Sequence, residues 1–166
     1  YSDSNSVASD LAQMIAQTGK RVLLVDADIH QPIIHQIYQV PNRVGFWDIL
    51  SGNRFASEIS QFIPDQRLNI IPSGKRGSDE FPVDFQTHMN EFLHDQKNEF
   101  DKIIIHGPPF FHGETAGLAA AVDGVILLIH PGYAKSETSK ATIEKFQRSG
   151  ATIIGVVMRN QPKYPL

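Results

Sequence analysis

Short, nearly unbroken apolar runs alternate along this chain with longer stretches in which apolar residues return every three or four positions. The runs RVLLVD (21–26), LNIIPSG (68–74), KIIIH (102–106), GVILLIH (124–130) and TIIGVVM (152–158) read as strands. A continuous apolar run, without alternation, is what a strand covered on both faces requires. Between them, VASDLAQMIAQTGK sets Val7, Leu11, Met14 and Ile15 on one helical face and stops at Gly19. PIIHQIY and GFWDILSG predict short helices. A longer helix is expected from Pro82 to about Glu99, with Phe85, Met89, Phe92 and Leu93 as its buried stripe. Proline suits its first turn because the missing N–H has no intrahelical partner there. ETAGLAAAV and SETSKATIEKFQRSG predict two further helices. Strands alternating with helices imply an α/β, doubly wound, mainly parallel sheet with helices on both faces.

The length of 166 residues suits a single domain, 1–166, with a sizeable core. A formal charge of −3 gives no electrostatic footprint for nucleic acid, so no such partner is expected. The absence of cysteine excludes disulfides and thiolate metal sites. No apolar run approaches the roughly 20 residues that span a bilayer, and no signal-peptide pattern opens the chain. A soluble, cytoplasmic domain is therefore expected.

In an open parallel sheet the chemistry lies just outside the carboxyl ends of the strands. Asp26 and Asp28 follow one strand directly, and His106 closes another before a Gly-Pro-Pro turn. As isolated residues the two aspartates also fit ordinary turn capping. His30, His106 and His130 all lie at or just after strand ends and would suit zinc if the topology gathered them. SGKRGSDE reads as a solvated turn whose Lys75 and Arg76 offer a phosphate or partner contact.

The segment GKRVLLVDADIHQPIIHQIYQVPNRVGFWDIL resembles the bacterial tyrosine kinases and polysaccharide co-polymerase ATPases, a branch of the MinD/ParA-like deviant P-loop ATPases. The family reads like GKRVLLVDADLRRPxxHxxF, then N-x-x-G-L. Here VDAD (25–28), Pro32, His35, Asn42 and Gly45 match, followed in order by IIPSG (70–74), Pro82, FDKIII with PP (100–109), VDGVILLI (122–129) and GVVM (155–158). The resemblance covers nearly the whole chain and implies a P-loop NTPase-like fold. In that fold a strand precedes the phosphate loop, whereas this chain opens on a helix. A first strand is thus expected upstream, in a longer membrane-associated protein.

The departures fall at one site. Aligning VASDLA with the family's V-A-x-N-L-A lays YSDSNS over the phosphate loop. Ser4 then takes the lysine position, Tyr1 and Asp3 the glycines, and Asn5 or Ser6 the magnesium-binding hydroxyl. A P-loop works because glycine amides converge on phosphates whose charge the lysine neutralises; Ser4 brings no charge and Asp3 brings the wrong one. Where the family strand ends in a magnesium-orienting aspartate, this one ends in His106. His30 and Gln31 replace two usual arginines, and Arg159 stands at the base-contacting asparagine, with Asn160 one place late.

The resemblance thus implies Asp26 and Asp28 as catalytic positions, Ser4, Asn5, Ser6, Arg159 and Asn160 as nucleotide positions, and His106 at the metal position. The expectation is a degenerate pseudo-ATPase without a cofactor; Mg-ATP would be the cofactor of a retained family activity. The role implied is regulation or scaffolding of surface polysaccharide biosynthesis, export or chain length (exopolysaccharide, capsule or lipopolysaccharide). Its place would be the cytoplasmic face of the bacterial inner membrane. Partners would be a membrane-anchored co-polymerase region, in cis or trans, and further copies of the chain. The alternatives are an active autophosphorylating tyrosine kinase and a MinD/ParA-type positioning ATPase. Tyr164 stands alone, unlike the tyrosine cluster that ends the active kinases.

Overall fold

Strand β1 (Val22–Asp26) is buried at every one of its five positions, as its unbroken apolar run requires. It is described here in a computed structural model covering residues 3–77, 82–110, 112–129, 141, 143–144 and 146–158. The chain forms two compact units, Tyr1–Pro109 and Phe110–Leu166.

In the first unit, helix α1 (Asp3–Gln17) precedes β1 and is followed by three short helices, α2 (Ile34–Ile37), α3 (Phe46–Leu50) and α4 (Ala56–Ile59). Strand β2 (Gln61–Ile63), a 3-10 turn (Pro64–Gln66), β3 (Leu68–Ile71), α5 (Phe85–Gln96) and β4 (Lys102–His106) complete it. The sheet order is β2-β3-β1-β4. β3 and β4 flank β1 in parallel, and β2 pairs antiparallel with β3 at the edge. The fold is thus mixed α/β, with a mostly parallel sheet flanked by helices.

One sheet face packs on α1 through Ala12, Ala16, Val22, Leu24, Ile34, Leu68 and Ile70. The stripe expected on α1 needs correction at Met14, which is 67% exposed. A residue two places from Ala12 or Ala16 lies about 200° around the helix, and the small alanines let that face seat against the sheet. Tyr38, just after α2, ties the layer together, its hydroxyl meeting Ser9 Oγ at 2.8 Å and accepting from Gln13 Nε2 at 3.1 Å. α5 buries Phe85, Met89, Phe92 and Leu93, as its periodicity predicts. Phe92 meets Phe46 of α3 edge to face, ring centroids 5.2 Å apart.

The second unit contains α6 (Glu114–Ala121) and the parallel pair β5 (Val125–Ile129) and β6 (Ile153–Met158). Residues 141, 143–144 and 146–148 are helical, within the stretch predicted as a helix. Its core joins Ala119, Phe146 and Ala151 to Val125, Leu127 and Ile153. β6 differs from the expectation of cover on both faces, since Ile154, Val156, Val157 and Met158 are exposed. Side chains alternate along a strand, so Ile153 reaches this core while Ile154 points away from it. No described helix is long and apolar enough to cross a membrane.

Candidate functional site

The register of the parallel strands pairs Val25 with Ile71 and Asp26 with His106. The turns leaving β1, β3 and β4 therefore share one sheet edge, where a doubly wound fold binds ligands.

The turn after β1 is built on its two aspartates. Asp26 is fully buried. Its Oδ1 accepts the Asp28 amide at 3.2 Å, and its Oδ2 accepts the amides of Ile33 and Ile34, both at 3.0 Å. The side chain thereby satisfies the first amides of α2 from across the turn, the office an N-cap performs locally. Asp28 Oδ1 accepts the His30 and Gln31 amides at 3.1 and 3.0 Å. Burial pushes the Asp26 carboxyl up to about 6; the amides of Ile34, Ile33 and Asp28 oppose this, and the Asp28 charge adds to it.

His106 closes β4 beside Asp26. Its carbonyl accepts the Ala27 amide at 2.8 Å, and its side chain is buried. Nε2 has no hydrogen-bond partner among the described residues. Burial lowers its pKa against the opposing pull of the Asp28 carboxylate, which leaves a neutral imidazole at pH 7.

The third turn draws together two sequence motifs separated by some thirty residues. The first amides of α3, from Phe46 and Trp47, donate to the carbonyls of Pro72 and Ser73 at 2.8 and 2.9 Å. Asn42 Oδ1 accepts the Gly74 amide at 2.8 Å, and Asp48 Oδ2 accepts that of Gly45, also at 2.8 Å. A Cβ on Gly45 would lie 2.1 Å from the Gly74 nitrogen, so only glycine fits. The spacing of Asn42, Gly45, Ser73 and Gly74 is thus explained by a backbone clasp. Beyond it, the Arg76 guanidinium lies 5.6 Å from the centre of the Trp47 ring, a cation–π distance. That pairing had no signal in the sequence.

Ser4, Asn5 and Ser6 have helical backbone in the first turn of α1. His30 lies on the exposed turn after Asp28. Arg159, Asn160 and His130 lie outside the described residues.

The donor set suits magnesium poorly. That ion takes oxygen ligands in near-octahedral geometry. Both oxygens of Asp26 are engaged by amides, β4 offers a nitrogen, and only Asp28 Oδ2 accepts no backbone N–H among the described residues.

No family model matches the chain. Among curated proteins it is 28% identical over 156 residues to the tyrosine-protein kinase CpsD of Streptococcus agalactiae, covering 93% of this chain and 68% of CpsD. It is 26% identical over 160 residues to a Klebsiella pneumoniae protein named as a tyrosine-protein kinase "in cps region", covering 95% of this chain and 22% of that protein. Its homologues are bacterial tyrosine-protein kinases. Among solved structures, the kinase domain of the Escherichia coli tyrosine kinase ETK superposes with a TM-score of 0.83 at 21% identity, over 99% of this chain and 68% of that one. MinD of Pyrococcus horikoshii, solved with Mg-ADP, follows at 0.75 and 17%, over 93% of this chain and 64% of that one. At these identities the structures establish the fold, which is P-loop NTPase-like.

Proposed function

We propose that this chain is a tyrosine-kinase-like domain with a degenerate nucleotide site, regulating or scaffolding surface-polysaccharide synthesis, export or chain length at the cytoplasmic face of the inner membrane. The observation that carries the degenerate reading is His106. A buried neutral imidazole with an unpartnered nitrogen occupies the strand end next to Asp26, where magnesium chemistry needs a carboxylate. The sequence adds Ser4 in the lysine position and Asp3 in a glycine position, which leave the phosphate charge unmatched.

Asp26 and Asp28 then persist for structure. Between them they accept five backbone amides and so fix the path from β1 into α2, a need that remains after nucleotide chemistry has lapsed. The polysaccharide assignment is supported by the order of motifs along the chain and by the relative named for its cps region. The domain would work with a membrane-anchored co-polymerase region, in the same chain or a partner, and with further copies of itself.

A second reading, an active Mg-ATP-dependent tyrosine kinase, is favoured by the intact VDAD and by the names of the relatives. Incubation with γ-labelled ATP and magnesium separates the two. The degenerate reading predicts neither self-labelling nor phosphate release above background. Robust self-labelling on tyrosine, abolished by Asp28→Ala, would establish the kinase.

A further inference from the structure

We infer that a groove at the amino ends of the strands, opposite the Asp26–His106 edge, binds an acidic saccharide unit. β1 is five residues long, so the two ends stand about 15 Å apart. Two cavities, about 280 and 460 Å³, open at that end and share Arg67 as a wall. The larger alone falls within the roughly 300–1,000 Å³ typical of small-molecule clefts.

Four features select the ligand. Arg67 holds a left-handed backbone, φ 52°, which costs a non-glycine residue energy and points to a placed side chain. Its guanidinium has no ion pair or hydrogen bond among the described residues, whereas neighbouring Arg21 is held by Asp101 at 3.1 Å. An anionic group is therefore the natural partner of Arg67, with Lys20 beside it in the larger cavity. Phe62 stands 58% exposed on that cavity's wall, an apolar platform of the kind the face of a pyranose ring stacks on.

Hydrogen-bonding capacity narrows the class further. Gln66 lines the smaller cavity with Gln13 and Gln17, side chains whose amides can donate to and accept from hydroxyls. Exposed carboxylates, Asp65 in the smaller cavity and Glu99 in the larger, add acceptors. They oppose a ligand in proportion to its negative charge, so a nucleotide or phosphopeptide with two or more charges is disfavoured more than a singly charged one, and they accept from hydroxyls, each of which must donate as well as accept. One negative charge, several hydroxyls and one apolar face describe a uronic acid or a similar acidic sugar. The proposal rests on the polysaccharide reading only for the source of that sugar.

The test is an amide chemical-shift titration of the chain with a tetrasaccharide of alternating glucuronate and N-acetylglucosamine. Saturable shifts at Lys20, Phe62, Gln66 and Arg67 are expected. Affinity should fall about tenfold or more for neutral cellotetraose, for Arg67→Gln and for Phe62→Ala. No saturable shifts in the groove up to about 10 mM would overturn the proposal. So would equal binding of phosphotyrosine or inorganic phosphate, which would mark a generic anion site. Any Mg-ATP binding would shift amides at the other sheet end, such as Asp28 and His106, so the outcome there is read separately from the groove.

Discussion

Asp26→Asn should change how stability depends on pH, because it removes a titration while nearly keeping the shape. In the folded protein burial holds the Asp26 proton to about pH 6, against an ordinary value of 3.8. Between those values the folded state binds more protons than the unfolded chain, so stability falls as pH rises. About two units correspond to about 3 kcal/mol of ionisation cost, fully present only above the folded value. Asparagine carries no such cost. At the acid end the variant is the weaker protein, since both oxygens of the protonated Asp26 keep an acceptor lone pair for the three amides whereas the asparagine NH2 accepts nothing, a loss of about 1–3 kcal/mol. As pH rises the difference should move in the variant's favour, by about 2 kcal/mol between about pH 4.5 and 7. Groups common to both chains drop out of the comparison. Urea unfolding followed by the fluorescence of the single, buried Trp47 measures it. A difference that stays flat across that range would mean that the three amides outweigh burial and that Asp26 is an ordinary carboxylate.

Phe92→Ala removes a buried ring and its edge-to-face partner contact with Phe46, and should cost about 3–5 kcal/mol in denaturant unfolding; an unchanged midpoint would contradict the packing. Gly45→Ala drives a methyl into the backbone of Ser73 and Gly74, so a loss of about 3 kcal/mol or more is expected, and a wild-type melting curve would refute the clasp. Asp3→Gly, Ser4→Lys and His106→Asp should each leave phosphate release at background, because groups that act as one unit are strongly non-additive. The triple variant should show turnover above any single one; a single variant with full turnover would contradict that coupling.

Periodicity placed most of the fold. β1, β3, β4 and α5 announce themselves through unbroken apolar runs or a clean helical stripe, and the structure keeps them within a few residues. β2, α4 and the 3-10 turn stayed hidden because three or four residues are too few to show a period. On α1 the large apolar residues misled: Met14 is exposed while Ala12 and Ala16 pack, since close approach to the sheet favoured the small side chains. At the site, Asp26, Asp28 and His106 were legible as strand-end residues. Their neighbourhood was not, because a parallel register joins residues eighty apart in the chain. Nor could spacing reveal that Asp26 spends both oxygens on its own turn, which depends on where Ile33 and Ile34 fold back.

The proposal of a degenerate site is tested most directly by titrating the chain with Mg-ATP in a calorimeter. Each lost charge-assisted phosphate contact is worth about 1.5–3 kcal/mol, a tenfold to hundredfold loss in affinity. With lysine and glycines missing from the loop and an imidazole at the end of β4, binding should be about millimolar or weaker, giving no saturable heat at micromolar protein. A magnesium-dependent dissociation constant in the micromolar range would contradict the account.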